Sequence, residues 1–513
     1  MSDNKQLARN MIFNAISFGI NLAISFFLTP YIVKEVGREA YGFIPLVNNM
    51  IGYTSIITTA VGSMAGRFIT MRLYKNDIEG ASYYFNSVLV ANFVLSAIFT
   101  IIAIVALAFL PHILNIPEYL LSDVRWLFIL AVLSMVIGLC TGLFGCGVYI
   151  KNRIDTSVAR AMVQNVVRIS CILLLFYFFE PSVVYISLGA FVSALLAIYY
   201  NFSFKKRFLP EVPFSPVKYF SWEKIKETTL SGIWNSVNQL SNLLLYQLDL
   251  LITNIFISAA ATGEFSLSKI MPSLTLSFLA TLSGSFHPKF NILYAQEKLE
   301  ELNALVKKSI KIVGIIISIA IGSLIVYCDI FYRLWLPTED SHKLHLLTII
   351  TVTPMIFGGS INPVFGLFAT ANRLKVPSLV LLFAGIANTL VILLLLNTTD
   401  LGIWAIALTS AIQGGIRNAL FTPIYGAKCI GQKWYAFFPT MFKAICGLGT
   451  VVIIGYATKR MFHIDGWCSL ICITTTVAIV SLLINMFIIL NKGEREYLKS
   501  IVLKKIKKIV WIA

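Results

Sequence analysis

Charge is in short supply in this chain: Asp, Glu, Lys and Arg together make up 13% of the 513 residues, while 58% are hydrophobic. A soluble domain so poor in charge could not keep its surface solvated, whereas a chain embedded in lipid needs polarity only in its loops. Chemistry-bearing clusters are equally scarce. There is no G-x-x-x-x-G-K-[ST] phosphate loop, no H-E-x-x-H and no C-x-x-C, which excludes ATP hydrolysis by that loop and the commonest metal signatures. The five histidines, His112, His287, His342, His345 and His463, form no cluster. Of the eight cysteines, Cys140, Cys146, Cys171, Cys328 and Cys446 fall inside apolar stretches and read as small packing residues. Cys468 and Cys472, one helical turn apart, read the same way, because no histidine cluster joins them as a metal site. Period-2 alternation is missing, which excludes a membrane barrel. No loop is long enough for a soluble domain, and the short outer loops cannot carry the catalytic acids of a membrane-embedded glycosyltransferase. No catalytic residue, no metal and no cofactor are expected.

What fills the chain instead is about fourteen apolar stretches between Met11 and Leu490, each long enough to cross roughly 30 Å of hydrocarbon as a helix. They are 11–33, 42–64, 86–110, 126–150, 157–179, 183–202, 228–257, 264–290, 312–332, 345–370, 377–397, 402–425, 437–457 and 467–490. They also repeat. Asn14, Asn21 and Gly42 recur as Asn235, Asn242 and Gly263 at an offset of 221, and Asn152-Arg153 recurs as Asn372-Arg373 at 220. The expected architecture is all-α. A six-helix lobe spans 8–204, a basic cytoplasmic linker 205–227, a second six-helix lobe 228–429, two further helices 437–490 and a basic tail 491–513. An even number of helices per repeat sets both halves in from the same side, as in transporters that alternate between two openings.

The net charge of +17 would suggest nucleic acid on a soluble protein. Here its placement points to topology. The N-terminal tail, the loops 65–80, 151–156, 203–227, 289–311, 371–376 and 426–436 and the C-terminal tail carry 29 of the 41 Lys and Arg, against 7 in the alternate loops. That bias orients both termini toward the cytoplasm and leaves no need for a nucleic-acid partner. Lys504, Lys505, Lys507 and Lys508 in the tail suit anionic headgroups. The first apolar run is too long for a cleaved signal, and no small-x-small site follows it before Lys34.

Polar groups are costly in hydrocarbon, at roughly 2.5–3.5 kcal/mol per central charge, so those present are informative. Five cations remain in or near the stretches: Arg160, Arg168, Lys269, Arg417 and Lys443; Asp249 is the clearest acid. Arg160, Gln164 and Arg168 share one helical face, beside Asn165, and form a cationic ladder that would meet an anionic substrate from inside. The plainer reading has Arg160 snorkelling and Arg168 paired with an acid. Asn235, Asn238, Asn242, Tyr246 and Asp249 make one stripe, and Asn14, Ser17, Asn21 and Ser25 repeat its start. Asn48, Asn49, Thr54 and Thr58 add to the polar wall. Such stripes either line a shared cavity or tie helices together. Asp249 either takes a coupling H⁺ or Na⁺ or pairs with Lys269. Gln413 and Arg417 lie one turn apart beside Gly414 and Gly415. Pro272, Pro354 and Pro363 interrupt backbone hydrogen bonds at membrane depth and are candidate hinges.

The opening Asn14, Asn21, Pro30, Gly37, Ala40-Tyr41-Gly42, then Arg67, Leu73 and Asn76-Asp77, resembles bacterial lipid-linked polysaccharide and O-antigen flippases of the Wzx type. So do Gln247-x-Asp249, Gly263-x-Phe265, Leu334-Trp335-Leu336 and Ala369-Thr370-Ala371-Asn372-Arg373. These flippases belong to the superfamily of MATE exporters and the lipid II flippase. The resemblance implies a MATE-like V-shaped bundle around a central cavity, in a bacterial inner membrane. It implies a polyprenyl-pyrophosphate-linked oligosaccharide as cargo, membrane lipids as neighbours and polysaccharide polymerase and chain-length machinery as partners. Stretches 437–490 exceed the usual twelve helices and resemble the lipid II flippase in that. Four candidate cavity cations, Arg160, Arg168, Lys269 and Arg417, against one acid suit a pyrophosphate. A MATE-like H⁺- or Na⁺-coupled small-molecule antiporter is the rival reading, although cationic drugs call for the opposite sign.

Overall fold

The computed structural model describes Asp3–Glu496, without the side chains of a few N-terminal residues; the basic run Lys504–Lys508 lies outside it. Every regular element among the described residues is helical. Helices close their backbone hydrogen bonds within one segment, which is why apolar stretches in lipid take this form. Ten helical spans are long and apolar enough to cross a membrane, by length and composition, and the chain is a multi-pass membrane protein.

The chain divides into two compact units. The first comprises the chain up to Ser266 together with Leu381–Thr389. Its helices are α1 (Asp3–Val36), α2 (Arg38–Gly52), α3 (Ser55–Gly62), α4 (Ala65–Tyr74), α5 (Ile78–Ile113), α6 (Leu121–Gly142), α7 (Cys146–Ile150), α8 (Ile154–Phe178), α9 (Val184–Phe208), α10 (Trp222–Asn242), α11 (Leu248–Phe256) and most of α12 (Ala259–Ser268). A cluster of Ile69, Tyr84, Phe85, Leu89, Phe144, Leu209 and Val212 forms part of its core.

The second unit comprises Leu267–Val380 and the chain from Leu390 on. It holds α13 (Ile270–Gly284), α14 (His287–Ala295), α15 (Leu299–Trp335), α16 (Ser341–Val352), α17 (Met355–Ser360), α18 (Asn362–Thr370), the rest of α19 (Lys375–Thr398), α20 (Ile403–Ile416), α21 (Thr422–Cys429), α22 (Phe438–Met461) and α23 (Trp467–Ile489). α15 is its axis. Val451 packs on Gly322, Val326 on Gly455 and Ala444 on Gly314. The first of the two added helices thus joins the bundle by small-residue contact of the kind membrane helices use. Lys459 Nζ bonds both Asp329 oxygens at 2.7 Å, and Tyr327 Oη donates to the Gly455 carbonyl at 3.1 Å.

Ten of the fourteen stretches correspond to these ten spans, of which Ala259–Ala295 is itself broken at Lys269 and before His287, and the other four are segmented. Stretch 42–64 breaks after Gly52 and again at Gly62–Met64. Stretch 345–370 breaks where Pro354 caps α17 and Pro363 starts α18. Stretches 228–257 and 402–425 each carry a π-helical turn, Leu243–Gln247 and Arg417–Phe421. Several regions read as loops are helical: α4 fills most of 65–80, and α15 starts at Leu299, inside 289–311.

The internal repeat is carried into backbone geometry. Asn76 and Glu297, 221 residues apart, both adopt left-handed φ, 58° and 57°. Asn152 and Asn372, 220 apart, are both at 52°. The turns share their hydrogen bonds: the Arg153 N–H donates to the Val148 carbonyl at 2.7 Å, and the Arg373 N–H to that of Phe368 at 2.8 Å. Asparagine tolerates this conformation, so both turns end a helix in the same way. Repeat-equivalent Gly42 and Gly263 meet back to back within the first unit: a Cβ on Gly42 would stand 2.7 Å from the Gly263 nitrogen.

Candidate functional site

Arg160, Gln164 and Arg168 lie on α8, and α9 runs alongside them. Arg160 Nη1 donates to Asn201 Oδ1 at 2.5 Å, Asn201 Nδ2 donates to Thr141 Oγ1 at 3.2 Å, and the guanidinium lies over Phe204, 5.7 Å from its centroid. Gln164 Nε2 donates to the Ser193 carbonyl at 2.9 Å. Arg168 passes Gly189, where an added Cβ would stand 3.3 Å from Arg168 Cγ. The Nε atoms of both arginines are buried without a hydrogen-bond partner. Among the described residues neither arginine has a carboxylate partner, so the acid expected for Arg168 in the plainer reading is not present there. A cation held in a partly apolar wall without a counter-charge attracts an anion strongly, because little water competes for it.

The opposite side of α8 meets α1. Asn165 Nδ2 donates to Asn21 Oδ1 at 2.9 Å, and Asn21 Nδ2 donates back to the Ser17 carbonyl at 2.9 Å. Asn14 and Asn21 are both exposed. The α10 stripe faces α3: Asn235 Nδ2 donates to Ser63 Oγ at 3.2 Å and Gln239 Nε2 to Ser55 Oγ at 2.9 Å. Asn49 Nδ2 donates to the Gln247 carbonyl at 3.3 Å. Part of the stripe therefore ties helices together. Asn242, half-buried, directly precedes the first π-turn, and Asp249, 2% exposed, lies in the first turn of α11 behind it. A π-turn realigns side chains by one residue and often sits at a functional position.

Lys269 and Arg417 belong to the second unit. Lys269 caps the N-terminus of α13. Arg417 opens the second π-turn, its Nε and Nη2 donating to Asn418 Oδ1 at 3.2 and 3.1 Å. No group of three or more potential metal ligands occurs among the described residues.

Sequence reasoning missed Asn201, Ser193 and Thr141, the partners of the ladder. Asn201 was legible by the same rule that found Arg168, since it is a lone amide inside an apolar stretch. It also missed how the basic loops are anchored. Asp155 receives Arg9 at 2.9 Å, Arg153 at 3.1 Å and Gln6 at 2.8 Å, and Lys151 bonds Glu211 at 3.0 Å. Asp77 is an N-cap: the Gly80 N–H and then Arg72 hold its carboxyl below the ordinary range. Ion pairs thus fix several of the basic loops.

Solved structures with this fold include the lipid II flippase MurJ in an inward closed conformation, which is similar over 92% of this chain and 98% of that one, with 13% identity and a TM-score of 0.66. The MATE multidrug transporter DinF-BH is similar over 85% and 97%, with 17% identity and a TM-score of 0.62. Among curated proteins, the uncharacterized membrane protein EpsK of Bacillus subtilis (strain 168) is 29% identical over 97% of this chain and 98% of its own length. Residues 7–291, more than half the sequence, match the family described as polysaccharide biosynthesis protein. The chain belongs to that family.

Proposed function

We propose that this protein is a flippase and not an enzyme. It moves a polyprenyl-pyrophosphate-linked oligosaccharide, an O-antigen, capsule or related repeat unit, from the cytoplasmic to the outer leaflet of a bacterial inner membrane, with both termini cytoplasmic. The observation that carries this reading is the α8 ladder, two arginines with buried, unpartnered Nε atoms and no carboxylate beside them among the described residues. Guanidinium groups suit pyrophosphate oxygens by paired hydrogen bonds. Asn14, Asn21, Asn235 and Asn242, with Gln164, supply amides for sugar hydroxyls. Lys269 and Arg417 receive the pyrophosphate on its way outward, and the lipid tail stays in the bilayer.

The two six-helix lobes, 8–204 and 228–429, alternate between two openings, and H⁺ or Na⁺ binding at Asp249 resets them. Membrane lipids surround the cargo, and polymerase and chain-length machinery receive it. Deleting the gene tests the function: lipid-linked oligosaccharide is expected to accumulate while surface polymer disappears. Normal levels of both would favour a MATE-like small-molecule antiporter, a reading that the buried Asp249 carboxylate and the shared MATE fold support.

A further inference from the structure

The first unit contains a cavity of about 690 Å³ that the ladder does not use. It lies between α3 and α4 on one side and α6 and α7 on the other, with α5 as its floor. Gly62, Gly66, Gly138 and Gly142 line it, and a Cβ on any of the four would meet no atom within 4 Å. Four positions therefore keep open a space that ordinary side chains would occupy. The volume falls in the range of about 300–1,000 Å³ typical of small-molecule sites.

The polar groups in it point to a ligand. Asn92, on the floor, is only 9% exposed, and its side-chain amide makes no hydrogen bond to any described residue. A buried amide facing an apolar chain would stay unsatisfied, so it calls for a hydroxyl, an amide or an ordered water. Thr58 adds a hydroxyl that likewise has no side-chain hydrogen bond among the described residues. At the other end stand Arg67, exposed and with no carboxylate partner among the described residues, and the exposed ring of Tyr149. Both belong to the end of the unit that carries the basic loops. Ser63, on the same wall, accepts the hydrogen bond from Asn235 and so joins the cavity to the α10 stripe.

We infer that this cavity is a sugar-phosphate subsite: a pyranose ring enters between the glycine walls, hydrogen-bonds Asn92 and Thr58 and lies against Tyr149, while Arg67 holds the anionic group. This rests on the flippase reading for the source of the ligand, which there is the first sugar of the lipid-linked headgroup at the moment of loading. The same chemistry in a free sugar phosphate would need no lipid.

The test uses the full-length purified protein, with N-acetylglucosamine 1-phosphate, glucose 1-phosphate and inorganic phosphate as probes by calorimetry. Gly142→Leu adds bulk at a position where a Cβ would meet no atom within 4 Å, so a monodisperse, stable protein is expected, and Asn92→Leu removes the amide. The expected result is saturable binding of a sugar phosphate, weakened at least tenfold in both variants and by Arg67→Gln, with inorganic phosphate binding far more weakly. Equal binding by wild type and Gly142→Leu, no binding of any sugar phosphate, or inorganic phosphate binding as tightly as the sugars would each overturn the subsite. In cells, Gly142→Leu is expected to accumulate lipid-linked glycan as the deletion does. If the deletion accumulates none while the purified protein binds sugar phosphate, the flippase reading fails and a soluble sugar phosphate becomes the ligand. If Arg168→Ala blocks transport but Gly142→Leu does not, the subsite fails and the flippase reading stands.

Discussion

Arg168 makes no described hydrogen bond or ion pair, and the flippase reading gives it the pyrophosphate to bind. Arg168→Ala is expected to abolish surface polymer while leaving protein in the membrane at wild-type level, and Arg168→Lys to restore only part, because a lysine lacks the paired donors. Polymer output and immunoblotting of membranes check both. Gly263 is the opposite kind of residue. A Cβ there would stand 2.2 Å from the Arg38 carbonyl oxygen, so Gly263→Val should destabilise by about 1–3 kcal/mol or more, the usual cost of overpacking, read as a lower melting temperature in detergent. Glu494 is a residue of a third kind. Burial would raise its carboxyl, but hydrogen bonds from Lys311 and the Asn491 N–H, with the charges of Lys311 and Lys308, outweigh that and hold it below its ordinary 4.5. A depressed carboxylate stabilises above its unfolded pKa and loses that contribution as pH falls through the folded one. The segment 491–496 is therefore expected to lose protection, measured against the intrinsic exchange rate at each pH, on acidification, and Glu494→Gln to remove that pH dependence in hydrogen-exchange mass spectrometry.

At the scale of elements, polarity and backbone breaks coincide. The four stretches without a span of their own carry Asn48, Asn235, Asp249, Pro354 and Arg417, and stretch 264–290 is broken at Lys269; the rest are mostly apolar, α1 with Asn14 and Asn21 and α8 with Arg160 and Arg168 being exceptions. A helix free to be purely greasy runs on, and one that must place amides, charges or prolines inside a bundle is often interrupted where they sit. α22 illustrates the contrary case, an unbroken helix held by several polar contacts, the Lys459–Asp329 pair among them. Lys459→Ala would leave Asp329 without its ammonium, at an expected cost of about 1.5–3 kcal/mol for the lost charged hydrogen bonds. Asp329→Asn with Lys459→Gln should recover much of it, as thermal unfolding of the two variants would reveal. The proline breaks and the ladder's helix were legible from residue type and spacing. The π-turns were not, because an extra residue per turn leaves no mark in composition and is decided by what packs against it.

At the scale of the whole molecule, the repeat is the organising fact. Offsets of 220 and 221 in the sequence reappear as paired left-handed turns with the same hydrogen bonds, and repeat-equivalent Gly42 and Gly263 pack on one another. Internal repeats of this kind are common in secondary transporters. The whole-molecule prediction is the one made for the deletion strain: lipid-linked oligosaccharide retained inside and surface polymer lost, measured by mass spectrometry of extracted glycolipid.

What the sequence determined by itself was everything that local chemistry dictates. Apolar runs must become helices in lipid, and Arg160, Gln164 and Arg168 must share a face because helices turn every 3.6 residues. The Asn-Arg pairs at 152 and 372 marked equivalent positions of the repeat, and asparagine's tolerance of left-handed φ made them turns. Only tertiary structure decided what each polar side chain meets. It set α9 against the ladder, gave Asn21 to Asn165 and Asn235 to Ser63, and left Asn92 facing an open cavity. Those outcomes depend on which helices are neighbours and at what register. Packing fixes both through contacts far apart in the chain, and no local pattern of residues encodes them.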